Sequence, residues 1–348
     1  MMPGIDQRYA GVALASALLF GVGTPLAKAL LGALDPVLLA GLLYAGSGLG
    51  LALVALLRRK AKAAPPLERR HLPWLAGAVA SGGVAAPLLL LWGLSRIPAS
   101  EASLLLNLEA VITVLVASVI FGEHVSARVW AATAIMLSAG LLLAWTPGEP
   151  FPLSAGALAI VGACLFWALD NNLTRPISAA DPVKIALVKG LAAGLFNITV
   201  AAFTGSAAPR GVVVAEALVL GAFSYGASLV LYIIALRHLG SARTGAHFAS
   251  APFIGAAVAL IALDEKAGPA FWWTLALMMA ATALLITERH THRHTHESLR
   301  HEHTHVHDEH HRHSHTRGDD EPHSHWHVHE PLTHWHPHLP DLHHRHRH

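Results

Sequence analysis

LLFGVGTPLAKALLGALDP, residues 18–36, aligns without a gap on CLFWALDNNLTRPISAADP, residues 164–182. Leu19, Phe20, Asp35 and Pro36 fall on Leu165, Phe166, Asp181 and Pro182. A second pair follows: LNLEAVITVLVASVIFGEHVSARVW (106–130) aligns on FASAPFIGAAVALIALDEKAGPAFW (248–272). There Ile112, Val116, Ala117, Glu123 and Trp130 stand opposite Ile254, Val258, Ala259, Glu265 and Trp272. The offset drifts only from 146 to 142, a few loop residues' worth. The chain is therefore read as one unit used twice, 1–148 and 149–288, followed by a tail, 289–348. The repeat also decides the N-terminus. Arg8, an apolar run and Ala27-Lys28-Ala29 imitate a signal peptide, but the same pattern returns in mid-chain, so it is read as a first span.

Each unit is dominated by Ala, Leu, Val, Ile and Gly, with few charges. A soluble domain could not leave so much apolar area in water. Ten apolar segments stand out, roughly 9–29, 36–57, 73–93, 100–121, 127–146, 154–175, 183–204, 211–236, 244–263 and 270–287. Each approaches the ~20 residues a helix needs to cross a bilayer. They lack two-residue alternation, so helix is expected over strand. Basic residues orient the array. Arg58, Arg59, Lys60, Lys62, Arg69 and Arg70 crowd one loop, and placing it in the cytoplasm puts Arg8, Arg128, Arg175, Lys184, Arg237 and Arg243 there too. Both termini are then cytosolic. Five spans per unit is an odd number, so the units enter the membrane from opposite sides. Inverted repeats can exchange shapes around a midplane site and open it to each side in turn.

The Phe20 and Phe166 stretches, 106–123 and 250–265 resemble the EamA-type permeases of the drug/metabolite transporter superfamily. Such permeases carry a proline early in the fourth and ninth spans and a glutamate 13 residues later. Pro252 and Glu265 match this; the first half keeps Glu123 but has Ala110, preceded by Glu109, at the proline position. The resemblance covers about residues 9–288. It implies an all-α membrane protein of ten helices around a central cavity. It also implies efflux or exchange of small metabolites such as amino acids, without ATP.

An ionisable or amide side chain inside a span is costly unless paired or wet, so each is a site hypothesis. Glu109 and His247 lie in repeat-equivalent spans. Asp170, Asn171, Asn172 and Arg175 cluster late in the sixth span, with Thr24 at the equivalent of Asp170; Lys189 and Asn197 lie on the seventh. Glu109, His247, Asp170, Asn171, Asn107 and Thr24 are the expected cavity residues. Glu109 would bind a proton or a cationic group; the asparagines would hydrogen-bond a polar solute or tie helices together. His247 would bind solute or bridge helices. Asp170 and Arg175, five residues apart, are poorly placed to pair. Glu123, Asp264 and Glu265 end their spans and are read as structural, and the lone Cys164 as a packing residue.

The tail holds 23 of the 27 histidines and almost no aliphatic residues, so disorder is expected. Its HxH spacing offers imidazoles to Zn, Ni, Co or Cu. The densest groups are His301/His303/His305/His307, His323/His325/His327/His329 and His334/His336/His338. The tail would buffer or sense metal, deliver it for export, or sense pH. No nucleotide-binding loop or catalytic motif occurs, so no enzyme activity and no required cofactor are expected. The partners expected are a small solute, the lipid bilayer and metal ions, not nucleic acid. The leading reading is a plasma-membrane exporter of an amino-acid-like metabolite; a divalent-metal exporter and a non-transporting receptor or scaffold are the alternatives.

Overall fold

The computed structural model describes residues 3–57, 68–121, 126–146, 148, 152–177, 180–207, 209–286, 291–296, 299–305, 323–329 and 332–337. Residues 1–287 and 288–348 are separate units. The first is helical: α1 (Pro3–Gly21), α2 (Gly23–Leu30), α3 (Pro36–Leu57), α4 (Leu72–Ala78), α5 (Ala86–Leu94), α6 (Ala99–Leu105), α7 (Leu108–Phe121), α8 (Ala127–Ala144), α9 (Ala155–Thr174), α10 (Pro182–Phe203), α11 (Gly211–Gly221), α12 (Ser228–Phe248), α13 (Ala251–Ala262) and α14 (Pro269–Ile286). Eight stretches among the described residues are long and apolar enough to cross a membrane, and Pro269–Leu285 is a shorter apolar helix. The segment expected as one span at 100–121 is two helices, α6 and α7. Val119, Ile261 and Phe203 are 85%, 83% and 88% exposed. Such an apolar rind suits a bilayer and not water.

Prolines account for most of the interruptions. A proline lacks the N–H that would bond the carbonyl four residues back, and its ring pushes against that carbonyl. Pro25 points back to Gly21, where α1 gives way to α2; Pro252 points back to Phe248, where α12 ends. Pro87 points back to Gly83, inside a π-helical turn, Val79–Ala85, that joins α4 to α5. A second π-turn, Ala222–Ala227, joins α11 to α12 at the corresponding place. The α6–α7 break has no proline. There Asn107 turns its side-chain amide onto the Leu104 carbonyl at 3.0 Å, competing with the helical ladder.

The helices meet where small residues let backbones approach. α3 lies against α10 and α11, α1 against α12 and α13, α9 against α5 and α7, α8 against α14, and α6 against α13. Ser16 and Ser228 bond each other's carbonyls across α1 and α12, at 2.7 and 3.2 Å. Glu265 is structural, as expected: its carboxylate accepts from the Ala99 and Ser100 amides at 2.7 and 2.8 Å, capping α6 from beyond α13. Glu265→Ala should cost about 1–2 kcal/mol, the range for losing a helix cap. The check is a lower thermal midpoint in detergent, recovered in part by Glu265→Gln. Glu123 lies outside the described residues.

In the second unit the described residues are β1 (Thr291–His296), β2 (Leu299–His305), β3 (His323–His329) and β4 (Leu332–Pro337). β1 pairs with β4 and β2 with β3, both antiparallel. The same HxH alternation that suggested metal ligation is a two-residue period, the strand period, and Thr, Val and Trp fill the gaps. The register sets His301 opposite His327, His303 opposite His325 and His305 opposite His323. In the other pair His292 faces His336 and His294 faces His334. His307 and His338 lie outside the described residues.

Candidate functional site

Three helix interruptions converge. A small pocket is lined by Phe20, Gly21 and Thr24 from the α1–α2 break, Ser103 and Leu106 from the α6–α7 break, and Ala251 and Pro252 from the start of α13. Interrupted helices expose backbone groups that a continuous helix would consume. The crossing is close: a Cβ on Gly21 would overlap the Ala251 carbonyl oxygen, and one on Gly255 would lie 2.8 Å from the Ser103 hydroxyl oxygen. That buried hydroxyl has no hydrogen-bond partner among the described residues. It is a polar atom available to something in the pocket.

A second polar group surrounds the π-turn at Val79–Ala85. Pro87 leaves carbonyls there without helical partners, and side chains from three helices take them. Gly82 O accepts from the Tyr44 hydroxyl at 2.5 Å and from Trp167 Nε1 at 3.1 Å. Gly83 O accepts from Asn197 Nδ2 at 3.1 Å. The missing side chain of Gly82 leaves the seat that the Asp170 carboxylate occupies. Lys189 Nζ donates to both Asp170 oxygens, at 2.5 and 2.6 Å, and the Thr174 hydroxyl adds a bond at 3.1 Å. Next to them Asn171 Nδ2 donates to Glu109 Oε1 at 3.0 Å. An aromatic row leads away: Tyr44 to Tyr225, Tyr225 to Phe20, Phe20 to Phe248 and Phe248 to Tyr232, with ring centroids 5.0–6.0 Å apart.

The sequence-derived residues thus divide. Glu109, Asn171 and Asp170 come together; Thr24 lines the pocket at the breaks. Asn107 is buried at the α6–α7 break. His247 sits in the last turn of α12, half-buried, and its carbonyl accepts from the Ser250 hydroxyl at 2.6 Å. Lys189 as the partner of Asp170, and Tyr44, Trp167 and Gly82 around them, were not singled out. The proline four residues after Gly83 was the available signal for that turn. Among the described residues no group of three or more His, Cys, Asp or Glu comes together as a metal site.

The sequence pattern of the EamA-like transporter family matches twice, over residues 7–145 and 154–287. The chain belongs to that family. Both halves match separately, so the duplication seen in the sequence is a duplication of the whole family unit. The chain is a multi-pass membrane protein of a transporter family, a non-enzymatic permease. It is 26% identical over 265 residues to an uncharacterized transporter of Methanothermobacter thermautotrophicus, covering 71% of this chain and 77% of that one. It is 28% identical over 203 residues to a "Probable terminal-alkyne amino-acid exporter" of Streptantibioticus cattleyicolor, covering 58% of this chain and 68% of that one. A solved crystal structure shares the fold with a TM-score of 0.59 at 19% identity, over 80% of this chain and 96% of the other.

Proposed function

We propose that this EamA-like transporter exports a small, polar, amino-acid-like metabolite across the cytoplasmic membrane by alternating access. The observation that carries the reading is the meeting of three interrupted helices, drawn from both family units, at one pocket. Interrupted helices at the interface of two repeats are where secondary transporters bind solute. The amino-acid class rests on the polar character of the Glu109–Asn171 and Asp170–Lys189 groups and on the name of the Streptantibioticus relative. In this reading ten spans form two inverted units and both termini are cytosolic. α6 and α7 together make the fourth span and α14 the tenth. Glu109, Asp170, Asn171, Asn107, Thr24 and His247 serve the path of solute or coupling ion.

The tail binds divalent metal in the same reading. The register that sets histidine opposite histidine on β2 and β3 supports this, since opposed residues of an antiparallel pair share a face with Cβ atoms ~5 Å apart. Metal there modulates the transporter or is buffered; it is not the cargo.

The test is flux in proteoliposomes with a panel of radiolabelled amino acids, for the full chain and for a chain lacking 289–348. Both should carry solute, and the shortened chain alone should lose binding of nickel or zinc. Flux of nickel or zinc by the full chain, with no amino acid carried, would instead make this a metal exporter. No flux of any solute would make it a receptor or scaffold.

A further inference from the structure

We propose that Asp170 and Lys189 form the recognition site for a zwitterionic α-amino acid, binding its ammonium and its carboxylate respectively. The proposal rests on the transporter reading and deepens it.

The geometry is a close charge pair, with Glu109 as its ionisable neighbour. Lys189 reaches from α10 to both oxygens of Asp170 on α9, and the side chains keep 18% and 9% of their exposure. A pair of this kind is poor glue. Desolvating two charges offsets most of their attraction, and apolar residues of similar volume commonly hold helices as well. It is, however, a template for a ligand that carries both charges. An incoming ammonium can replace Lys189 on the Asp170 carboxylate while the ligand's own carboxylate replaces Asp170 on the Lys189 ammonium. Two ion pairs then stand where one stood, and no charge is stranded in the membrane interior. A simple amine would satisfy Asp170 and leave Lys189 alone; a simple acid would do the reverse.

The surroundings fit a dipolar ligand. The Thr174 hydroxyl already bonds Asp170. Asn171, the next residue on α9, is exposed and donates to the Glu109 carboxylate beside the pair. Tyr44 and Trp167 meet on the Gly82 carbonyl, directly beside the carboxylate's seat, so aromatic rings border the pair. Opening the pair also releases α9 from α10, so occupancy is tied to helix movement.

The experiment uses the full chain, purified and reconstituted. Binding is read as a ligand-induced rise in thermal midpoint and transport as counterflow. The probes are L-alanine, L-leucine and L-phenylalanine, each beside its decarboxylated amine and its deaminated acid. At least one amino acid should bind ~100-fold more tightly than both of its analogues, since a site of buried polar groups rejects ligands that leave one unpaired. Asp170→Asn should shift preference to the acid, which pairs with the remaining Lys189 and restores this variant's thermal midpoint. Lys189→Met should shift preference to the amine. The double variant, with no stranded charge, should fold and bind none. Amino-acid flux with unchanged selectivity in the double variant would overturn the assignment, as would a wild-type preference for amine or acid. So would the absence of any binding by any probe. Amino-acid binding that is lost in the double variant, without flux in any protein, would uphold the assignment and sink the transporter reading.

Discussion

Gly46→Leu will produce a chain that inserts but does not hold its bundle. A Cβ on Gly46 would overlap the Leu218 carbonyl oxygen of α11, and one on Gly221 of α11 would overlap the Leu43 carbonyl oxygen of α3. The contact is reciprocal, backbone against backbone. The other side of α3 is as close: an added Cβ on Gly190 would come within 2.8 Å of the Gly48 amide nitrogen, and one on Gly194 within 2.6 Å of the Ala45 amide nitrogen. Inside a bilayer, lipid competes with helix for every apolar surface, so packing and not the hydrophobic effect decides association. A backbone carbonyl cannot escape by changing rotamer. Overpacking a well-filled site costs about 1–3 kcal/mol, occasionally more. Leucine at Gly46 should reach the upper end, and alanine should already be measurable. The readout is the thermal midpoint of the detergent-solubilised protein by size exclusion. Gly11→Ala and Gly268→Ala are the controls, since an added Cβ meets nothing within 4 Å at either. A Gly46→Leu midpoint equal to theirs would refute the packing of α3 described here.

The spans were legible because their signal is compositional and local. The segments read at 36–57 and 183–204 are helices Pro36–Leu57 and Val183–Phe203, within a residue. The duplication was legible because residues such as Asp35 and Asp181 recur at a fixed offset. What the sequence hid was where those helices stop being regular. Pro25, Pro87 and Pro252 each announce a disturbance four residues upstream, but only packing shows whether the outcome is a break or a π-turn. The α6–α7 break is less visible still, because it hangs on one side-chain bond from Asn107. In the tail, one alternating pattern serves two readings, ligand spacing and strand period. The site was half legible. Burial in a span flagged Asp170 and Glu109, and spacing excluded Arg175 as the natural partner of Asp170. Identifying Lys189 needed the relative placement of α9 and α10, and the seat at Gly82 needed a third helix.

That placement makes Lys189→Met the second large effect. Removing the ammonium leaves the Asp170 carboxylate buried against Gly82 with the Thr174 hydroxyl at 3.1 Å as its remaining described bond. An uncompensated charge in a membrane interior is far costlier than the pair it came from. Breaking a buried pair by removing one partner costs about 3–5 kcal/mol, whereas replacing both partners together is often neutral. Lys189→Met should therefore lower the thermal midpoint sharply, and Asp170→Asn in the same chain should return most of it. Four proteins close a double-mutant cycle: wild type, the two single variants and the double variant. The expected result is strong positive coupling, with the double variant more stable than Lys189→Met alone. Additive losses would mean that the two side chains do not meet in the folded protein, and no ligand could then exchange with them. Strong coupling, with a double variant as stable as wild type, would show instead that the membrane region tolerates this pair without depending on it. A bundle that stands as well without two buried charges must keep them for some task other than standing.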